Sequence, residues 1–343
     1  MRKPRMRSTY TVGGWFLNMK LTIKTPSRLH LGLIDLRGDL GRAFGSIGVG
    51  IQYPNVVLTA EESDRLVVEG EQAERFRAFA ERFIKAVDAK IKCKITVKKT
   101  IPLHVGLGSG TQSALAVASL ISRINNLRVS VEEAAVLTGR ASISSVGIGV
   151  FKYGGFIVDA GHKVDRWERS KKERKSIAPI VFKHPFPKDW LFVVAVTEDR
   201  RGLSGDEEKK AFDTLPTPRK EWTTDICRLV HLNLIPALIE RDIETFGKAL
   251  TKIQILTGKC FEKIQGGIYA SRLAEESCKR MLEAGAKAVG QSSWGPTVYA
   301  LAHGLKEARK VMLSLEPLLG SEFEKKVFVT AADNRGARLQ QLG

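Results

Sequence analysis

Ile101 to Ala118 reads IPLHVGLGSGTQSALAVA, and the organisation of the chain can be worked outward from this stretch. Three closely spaced glycines precede a run of small and apolar residues, 111–120, which predicts a buried helix. The glycines are Gly106, Gly108 and Gly110. Residues 95–97 read as a short strand ahead of them. The stretch therefore predicts a strand, a glycine loop and the N-terminus of a helix.

A glycine loop that leads into a helix is suited to binding an anion. Glycine lets the backbone approach a ligand and adopt positive φ. The first amides of the helix lack intrahelical partners and point outward at the positive end of the dipole. Ser109, Thr111 and Ser113 add hydroxyl donors. We expect a phosphate or diphosphate here; glycine-rich turns before helices also occur without ligands.

The net charge of +18 over 343 residues is high. Such a surface suits nucleic acid, a membrane surface or acidic small molecules. Here the basic residues are scattered, and the aromatic–basic interleaving typical of RNA-binding surfaces is absent. No apolar run approaches the length of a bilayer span. We therefore expect small polyanions as partners and no membrane, with nucleic acid as the weaker alternative.

The four cysteines have neither C-x-x-C spacing nor histidine partners at zinc spacing. This usage is typical of reduced thiols in a cytoplasmic protein. Residues 1–20 are expected to be a disordered N-terminal extension, because they are basic and lack the hydrophobic core of a signal peptide. Met19 is an alternative start of the chain.

A second informative stretch, KLTIKTPSRLHLGLIDL, begins at Lys20. Pro26 is expected to break a first strand, after which residues 28–33 alternate between polar or small and apolar side chains. This alternation places Arg28 and His30 on one face of a strand, with Asp35 at its end. A lone histidine on a strand is more often structural than catalytic. An arginine, a histidine and an aspartate that converge beside a glycine loop favour a reacting site.

Further basic side chains lie in other glycine-rich segments. Residues 38–50 contain five glycines and are expected to form a loop. Arg42 in that loop is either an anion clamp or part of a flexible hairpin tip. The other basic candidates are Arg140 and Lys152 in the segment 139–155, and Arg201 in a basic glycine turn before a helix.

Several of these segments resemble motifs of the GHMP kinase superfamily. Pro26 and Arg28 match part of the first motif, and Pro102 with the residues 106–109 matches the second. Residues 110–112 read Gly-Thr-Gln where the kinases usually carry Ser-Ala-Ala. Residues 290–296, GQSSWGP, resemble the third motif, a turn that closes over the active site.

One departure from the kinases concerns their catalytic aspartate. The kinases of this superfamily commonly read Ser-Gly-Ile-Asp in a region where this chain has Val146, Gly147, Ile148 and then Gly149. The aspartate that assists phosphoryl transfer is therefore missing, which argues against ordinary kinase chemistry.

From Leu21 to about Val329 the chain resembles the β-ribofuranosylaminobenzene 5′-phosphate synthases, an archaeal-type family of the GHMP superfamily that acts in methanopterin biosynthesis. The matching strings are SRLHLGLIDL, VGLGSGTQSALAVA, KYGGFIVDAGH, RGLSGDEE and GQSSWGPTVY. The last string is the most specific, because kinases do not usually carry it. The loop 42–50 has Phe44 and Ser46 where a more polar and glycine-richer turn is expected.

The resemblance implies an α+β fold with two domains. The first, residues 21–180, would resemble domain 2 of ribosomal protein S5, and the second, residues 181–343, would be ferredoxin-like. It also implies a pentosyltransferase that joins phosphoribosyl diphosphate to 4-aminobenzoate or 4-hydroxybenzoate at the ring carbon bearing the carboxylate, releasing carbon dioxide and diphosphate. Magnesium is the expected cofactor, with ligands unassigned. The oligomeric state stays open, with a homodimer as one option.

The candidate site residues fall into two groups under this hypothesis. Arg28, His30 and Asp35 are the candidate catalytic residues, with His30 either orienting the ring substituent or binding the sugar phosphate. The candidate phosphate-binding residues are Arg42, Gly106, Gly108, Ser109, Gly110, Thr111, Arg140, Lys152, Arg201, Gln291, Ser292 and Ser293.

Two alternatives accompany this hypothesis. The first is another GHMP enzyme, either a small-molecule kinase or an enzyme like diphosphomevalonate decarboxylase, which ATP turnover would reveal. The second is a basic nucleic-acid-binding protein with an S5-like fold, which salt-dependent RNA binding without turnover would reveal.

Overall fold

The computed structural model describes residues 19–140, 143–164, 177–198 and 206–342. Two β-sheets form its centre, and helices cover them. Most of the predicted extension at 1–20 lies outside the described residues. Within the described ranges, no helix combines the length and the apolar character needed to cross a membrane.

Twelve strands are described. They are β1 (Lys20–Asp35), β2 (Arg42–Glu61), β3 (Leu66–Gly70), β4 (Cys93–Lys99), β5 (Phe156–Asp159), β6 (His162–Lys163), β7 (Ile180–His184), β8 (Trp190–Val196), β9 (Ala288–Gln291), β10 (Thr297–His303), β11 (Val327–Ala331) and β12 (Arg338–Leu342).

The described ranges also contain twelve α-helices. They are α1 (Ala73–Val87), α2 (Ser109–Ile124), α3 (Val131–Leu137), α4 (Val146–Tyr153), α5 (Asp206–Thr214), α6 (Lys220–Leu229), α7 (Ile235–Glu240), α8 (Ile243–Gln265), α9 (Arg272–Glu283), α10 (Gly304–Leu313), α11 (Glu316–Leu319) and α12 (Phe323–Lys326). A π-helical segment, Val230–Leu234, joins α6 to α7, and a short 3₁₀ turn, Gly320–Glu322, joins α11 to α12.

The first sheet has the spatial order β12–β1–β2–β4–β3, with β5 and β6 on β2 and β7 on β5. Its strand pairs are antiparallel except β3–β4. The leucines of β1 behave as their alternation predicts, since Leu29 and Leu31 are fully buried. The opposite face of β1 is therefore free to carry Arg28 and His30 toward the site.

The second sheet has the order β11–β8–β10–β9, and all its pairs are antiparallel. In chain order these are the fourth, first, third and second strands of the sheet, with helices between β8 and β9 and between β10 and β11. Apolar side chains from α9 and α10, among them Met281 and Val311, pack on strand residues such as Val193 and Ala300. This is the ferredoxin-like arrangement, so the predicted α+β fold is confirmed.

The first sheet includes strands from the second half of the chain. β7 and β12 come from the second half of the sequence, and both pair within the first sheet, on β5 and β1 respectively. The division at residue 180 stays a prediction, and the strand pairing crosses it in two places.

The glycine-rich segment 38–50 was expected to be a loop, and this prediction is wrong for most of its length. β2 begins at Arg42 and runs through the last three glycines of the segment. A Cβ at Gly48 would lie 2.4 Å from Val146 Cγ1 and 2.7 Å from the carbonyl oxygen of Leu29. Glycine is present because α4 packs directly on this strand, and it leaves no room for a side chain.

Pro26 does not end the first strand either. β1 is continuous from Lys20 to Asp35, and its register against β2 shifts between Pro26 and Ser27. Proline cannot donate to the ladder, and an irregularity in the pairing accommodates it.

The helix α2 is the most deeply buried helix near the predicted site. It packs on β1 and β2, and small residues such as Ala114, Ala116 and Ala118 are fully buried. Its only charged residue, Arg123, lies in the last turn. Because the core holds α2 on most of its surface, the position of its N-terminus is fixed by the sheet.

We expect Gly48→Ala to lower the free energy of unfolding by about 1–3 kcal/mol, because the new methyl group overpacks the contact between β2 and α4. Gly267→Ala is the matched control, since a Cβ there would meet only the carbonyl oxygen of Tyr269 at 3.4 Å. Thermal and urea unfolding measure both variants. Equal stability of the two variants would contradict the packing explanation.

Candidate functional site

The glycine loop leads into α2, and the first backbone N–H groups of this helix have no partner within it. Gly106 and Gly108 have φ values of +93° and +76°, a region that favours glycine. Gly108 is the N-cap, makes no side-chain cap, and is followed by no acidic residue in the first turn. No described residue accepts a hydrogen bond from the backbone N–H groups of residues 109–111. These donors, at the positive end of the helix, are arranged for an anion from outside the fold.

The turn 291–296 lies directly against this loop. A Cβ at Gly106 would lie 2.2 Å from the carbonyl oxygen of Ser292, and one at Gly295 would lie 2.2 Å from the carbonyl oxygen of Val105. Ser292 Oγ donates to the Gly106 carbonyl at 2.7 Å and accepts from the backbone N–H of His30 at 2.9 Å. Ser292 therefore joins the glycine loop, the first strand and the second sheet.

Arg28 lies beside the same loop, as its place on β1 predicts. Its backbone N–H donates to the carbonyl of Leu107 at 3.0 Å, and Nη1 donates to the carbonyl of Gly106 at 3.4 Å. A Cβ at Gly108 would lie 3.2 Å from Arg28 Cβ, so the absence of a side chain at residue 108 makes this approach comfortable. The structure thus brings the predicted arginine to the predicted loop.

His30 is buried next to Arg28. Burial, and secondly the charge of Arg28, lower the pKa of His30 to about 3. The imidazole is therefore neutral near pH 7, where it can donate or accept a hydrogen bond but carries no charge.

The start of α4 adjoins the start of α2. Gln112 Nε2 donates to the carbonyl of Gly147 at 2.8 Å. Asp159, which the sequence analysis did not select, accepts from the backbone N–H of Ser145 at 2.8 Å and from that of Gly161 at 2.9 Å. Its signal was the position at the end of the apolar strand FIVD. A buried carboxylate thus accepts a backbone hydrogen bond at the N-terminus of α4, whereas no described carboxylate does so at the N-terminus of α2.

Residues 146–149 form the first turn of α4 and contain no acidic side chain. The segment in which the kinases carry their aspartate is therefore apolar here. The nearby carboxylate of Asp159 is turned toward backbone N–H groups and is fully buried.

Asp35 is not brought to Arg28 and His30 by any of its hydrogen bonds. Its Oδ1 accepts from the backbone N–H groups of Arg37 at 2.6 Å and Gly38 at 3.1 Å. This is a turn-forming contact at the end of β1.

Arg42 lies with Asp35 at a separate cavity. Arg42 Nε and Nη2 donate to the carbonyls of Ala160 at 3.0 Å and Gly161 at 2.8 Å. Asp35, Arg42 and Asp159 contribute to the lining of a cavity of about 240 Å³, which does not include the glycine loop.

Two further candidates are held by contacts of their own, and a third is not described. Lys152, near the C-terminal end of α4, pairs with Glu132 at 2.6 Å. The side chain of Gln291 accepts from the backbone N–H of Ala270 at 2.7 Å and donates to the carbonyl of Ser293 at 3.0 Å, so it holds its own turn. Arg201 lies outside the described residues.

Arg140, a candidate from its glycine-rich segment, lies at the first turn of α2, and Arg75 accompanies it. A Cβ at Gly110 would lie 3.0 Å from Arg140 Nη1. Arg75 Nη2 donates to Ser109 Oγ at 3.4 Å. Arg75 is not among the residues selected from the sequence, because it lies within α1 and not in a glycine-rich segment.

The described side chains around the loop do not fit a magnesium site held by the protein. Three or more His, Cys, Asp or Glu side chains do not cluster anywhere in the described ranges. The buried carboxylate of Asp159, beside the start of α4, is engaged with backbone N–H groups. The magnesium requirement stays a prediction.

Comparison with known proteins relates this chain to a known family. Residues 74–155 match the GHMP kinases N terminal domain, and residues 234–317 match the GHMP kinases C terminal domain. The β-ribofuranosylphenol 5′-phosphate synthase of Methanothermobacter thermautotrophicus is 34% identical over 336 residues, covering 93% of this chain and 98% of that protein. The synthase of the same name from Archaeoglobus fulgidus is 35% identical over 330 residues, covering 93% and 99%.

This chain belongs to the β-ribofuranosylphenol 5′-phosphate synthase family of the GHMP superfamily. The resemblance predicted from the motifs is therefore confirmed, and the chain is an enzyme of this family that acts on small molecules.

Solved structures confirm the GHMP fold of this synthase family member. Homoserine kinase from Cytophaga hutchinsonii superposes with a TM-score of 0.61 at 16% identity, covering 96% of this chain and all of that chain. Mevalonate diphosphate decarboxylase from Staphylococcus aureus gives a TM-score of 0.63 at 14% identity, covering 94% and 98%. At these identities the likeness concerns the fold alone.

Asp159 makes a pH-dependent contribution to stability that can be measured. Burial raises the pKa of Asp159 to about 6, against the opposing effect of its backbone N–H donors. The folded protein therefore holds this proton more tightly than the unfolded chain. As the pH rises from about 4 to above 6, the ionising carboxylate removes about 3 kcal/mol of unfolding free energy.

We expect Asp159→Asn to lack this loss. The unfolding free energy of the variant relative to wild type should rise by about 3 kcal/mol between pH 4 and pH 7. Urea unfolding at several pH values measures the difference. A difference that does not change with pH would show that Asp159 has an ordinary pKa.

Proposed function

We propose that this chain joins 5-phosphoribosyl 1-diphosphate to 4-hydroxybenzoate or 4-aminobenzoate and releases carbon dioxide and diphosphate. The product is a β-ribofuranosyl C-glycoside 5′-phosphate, and the step belongs to methanopterin biosynthesis. The name of the curated relatives, β-ribofuranosylphenol 5′-phosphate synthase, favours 4-hydroxybenzoate, because replacing its carboxylate by the sugar leaves a phenol.

The observation that carries this proposal is the uncapped N-terminus of α2 with Arg28 beside it. The backbone N–H groups of residues 109–111 have no acceptor among the described residues, and no acidic residue lies in the first turn. A diphosphate leaving group gains negative charge as its bond to the sugar breaks. Fixed donors and a cation placed where that charge develops stabilise the transition state more than the ground state.

The bond changes balance without a further reactant. The bond from ribose C1′ to the diphosphate oxygen breaks, and diphosphate leaves with the electron pair. The ring carbon that bears the carboxylate attacks C1′ with a pair of ring electrons. The bond to the carboxylate then breaks, its electrons restore the aromatic ring, and carbon dioxide leaves. Nothing is oxidised or reduced.

The reaction needs no base to remove a ring proton, because carbon dioxide leaves in place of a proton. This agrees with the apolar first turn of α4, which lacks the kinase aspartate. It also agrees with a neutral His30, which can hydrogen-bond the hydroxyl or amino group of the acceptor, or the sugar phosphate, without transferring a proton.

Magnesium remains part of the proposal as a companion of the substrate. A magnesium ion bound to the diphosphate would neutralise part of its charge. Because the carboxylate of Asp159 is engaged with the backbone, this chain would hold the diphosphate of such a complex through the hydroxyl groups of Ser109 and Thr111 and the backbone N–H groups around them.

The direct test mixes the protein with phosphoribosyl diphosphate and carboxyl-labelled 4-hydroxybenzoate, and in parallel with labelled 4-aminobenzoate. Labelled carbon dioxide and diphosphate should appear in equal amounts. Parallel reactions with ATP and homoserine, mevalonate or mevalonate diphosphate test the kinase and decarboxylase alternatives. ATP consumption with one of these, without carbon dioxide from either benzoate, would contradict the proposal in favour of those alternatives. RNA binding without any turnover would favour the nucleic-acid alternative.

We expect Arg28→Ala to lower kcat by about 10²–10³-fold, the usual effect of removing one donor from a developing oxyanion. Lys24→Ala is the matched control, since Lys24 is an exposed cation on the same strand. Steady-state kinetics with thermal melting measure both variants. Near-normal turnover of a folded Arg28→Ala protein would remove this arginine from the site.

A further inference from the structure

A cluster of cations lies beside the first turn of α2. Arg75, Phe79 and Arg82 are spaced four and three residues apart on α1, so they share one face of that helix. Arg140 follows α3 and reaches the same place. The backbone that carries Arg140 is held by a hydrogen bond from its N–H to the carbonyl of Ala135 at 2.7 Å.

Phe79 forms the platform on which two of these guanidinium groups rest. Arg75 Cζ lies 5.3 Å and Arg140 Cζ lies 5.2 Å from the centroid of the Phe79 ring. Cations over an aromatic face are held electrostatically and lose little freedom on binding a ligand. The two arginines are therefore fixed relative to one another.

Both guanidinium groups point to the first turn of α2. Arg75 Nη2 lies 3.4 Å from Ser109 Oγ, and Arg140 Nη1 would be 3.0 Å from a Cβ at Gly110. Arg28 lies against Gly108, one residue before Ser109. Three arginines, one on β1, one on α1 and one after α3, thus lie against consecutive residues of the glycine loop and the first turn of α2.

The described residues place no carboxylate beside this pair, since no carboxylate oxygen among them lies within 4.0 Å of Arg75 or Arg140. Arg140 Nε is buried and has no hydrogen-bond partner in the described part of the chain. Burial, and secondly the charge of Arg140, lower the pKa of Arg75 to about 10. The like charges also face the positive end of α2, so the arrangement is unfavourable until an anion joins it.

We propose that Arg75 and Arg140 form a clamp for the 5′-phosphate of the sugar substrate, the phosphate that does not react. The inference rests on the proposed function, which places the departing diphosphate at Arg28. The diphosphate would then lie beside Arg28 and Gly108, and the 5′-phosphate would lie beside Ser109 and Gly110. Two planar guanidinium groups can bind one phosphate through several charge-assisted hydrogen bonds.

Because the clamp would bind the phosphate that does not react, its removal should change KM and not kcat. A group that is bound equally in the ground state and the transition state contributes to KM and leaves kcat unchanged. Arg75→Ala and Arg140→Ala should each raise the KM for phosphoribosyl diphosphate by about 10–100-fold, the range expected for a hydrogen bond to a charged group. Their kcat should stay within a few-fold of wild type, in contrast to Arg28→Ala.

The matched control is Arg77→Ala. Arg77 lies on the same helix but interacts with Glu74 at 3.7 Å and with the carbonyl of Val68 at 3.5 Å, away from the loop. Arg77→Ala should keep the wild-type KM. Thermal melting checks folding, and the two clamp variants should melt at or above the wild-type temperature because they remove uncompensated cations.

Calorimetry with two probes tests the clamp without turnover. Ribose 5-phosphate carries only the non-reacting phosphate, and inorganic diphosphate represents only the leaving group. Arg75→Ala and Arg140→Ala should lose ribose 5-phosphate binding and keep diphosphate binding, and Arg28→Ala should do the reverse. Unchanged ribose 5-phosphate binding, or a loss of kcat at constant KM, would overturn the clamp.

Failure of the clamp can be told from failure of the proposed function. A wild-type protein that releases carbon dioxide, with clamp variants that bind ribose 5-phosphate normally, contradicts the clamp alone. A wild-type protein that binds ribose 5-phosphate through these arginines but never releases carbon dioxide supports the phosphate site and contradicts the synthase reaction.

Discussion

Backbone lies directly on backbone where the glycine loop meets the turn before β10, and the rest of the site depends on this contact. Gly106 and Gly295 have no room for a Cβ there. Ser292 completes the joint with one hydrogen bond to the loop and one from β1. A loop with two left-handed glycines would be mobile by itself. Because the loop is held between the two sheets, the first amides of α2 have a fixed position.

The two helix N-termini at this joint are treated in opposite ways. Asp159 satisfies the start of α4 from inside the fold. The start of α2 has no side-chain cap among the described residues and no acidic residue in its first turn, and arginines lie beside it. A helix N-terminus surrounded by cations is suited to binding an anionic ligand, which agrees with the proposed function.

The same distribution of charge separates this enzyme from the kinases whose fold it shares. Phosphoryl transfer to an alcohol gains from a carboxylate near the accepting oxygen. The corresponding turn here is apolar, and the neighbouring carboxylate is fully engaged with the backbone. A substitution in which carbon dioxide leaves in place of a proton needs strong anion binding and has little use for a base. In the proposed reaction the arginines and amides around the loop would bind the anion, and the neutral His30 agrees with the absence of a base.

The sequence by itself determined the local features of this protein. The apolar run after three glycines, the alternation around Arg28 and His30, and the motif GQSSWGP were enough to predict the strand–loop–helix unit, the α+β fold and the family. These follow from short-range periodicity and from residue types that a local conformation requires. Only the tertiary structure decided that β2 runs through the glycines of 42–50, of which Gly48 and Gly50 leave room for α4. It also separated Asp35, Arg42 and Lys152 from the loop and brought Arg75 and Asp159 close to the two helix starts. Charges and glycines carry no periodic signal of their own, so their partners are chosen by packing between elements far apart in the chain.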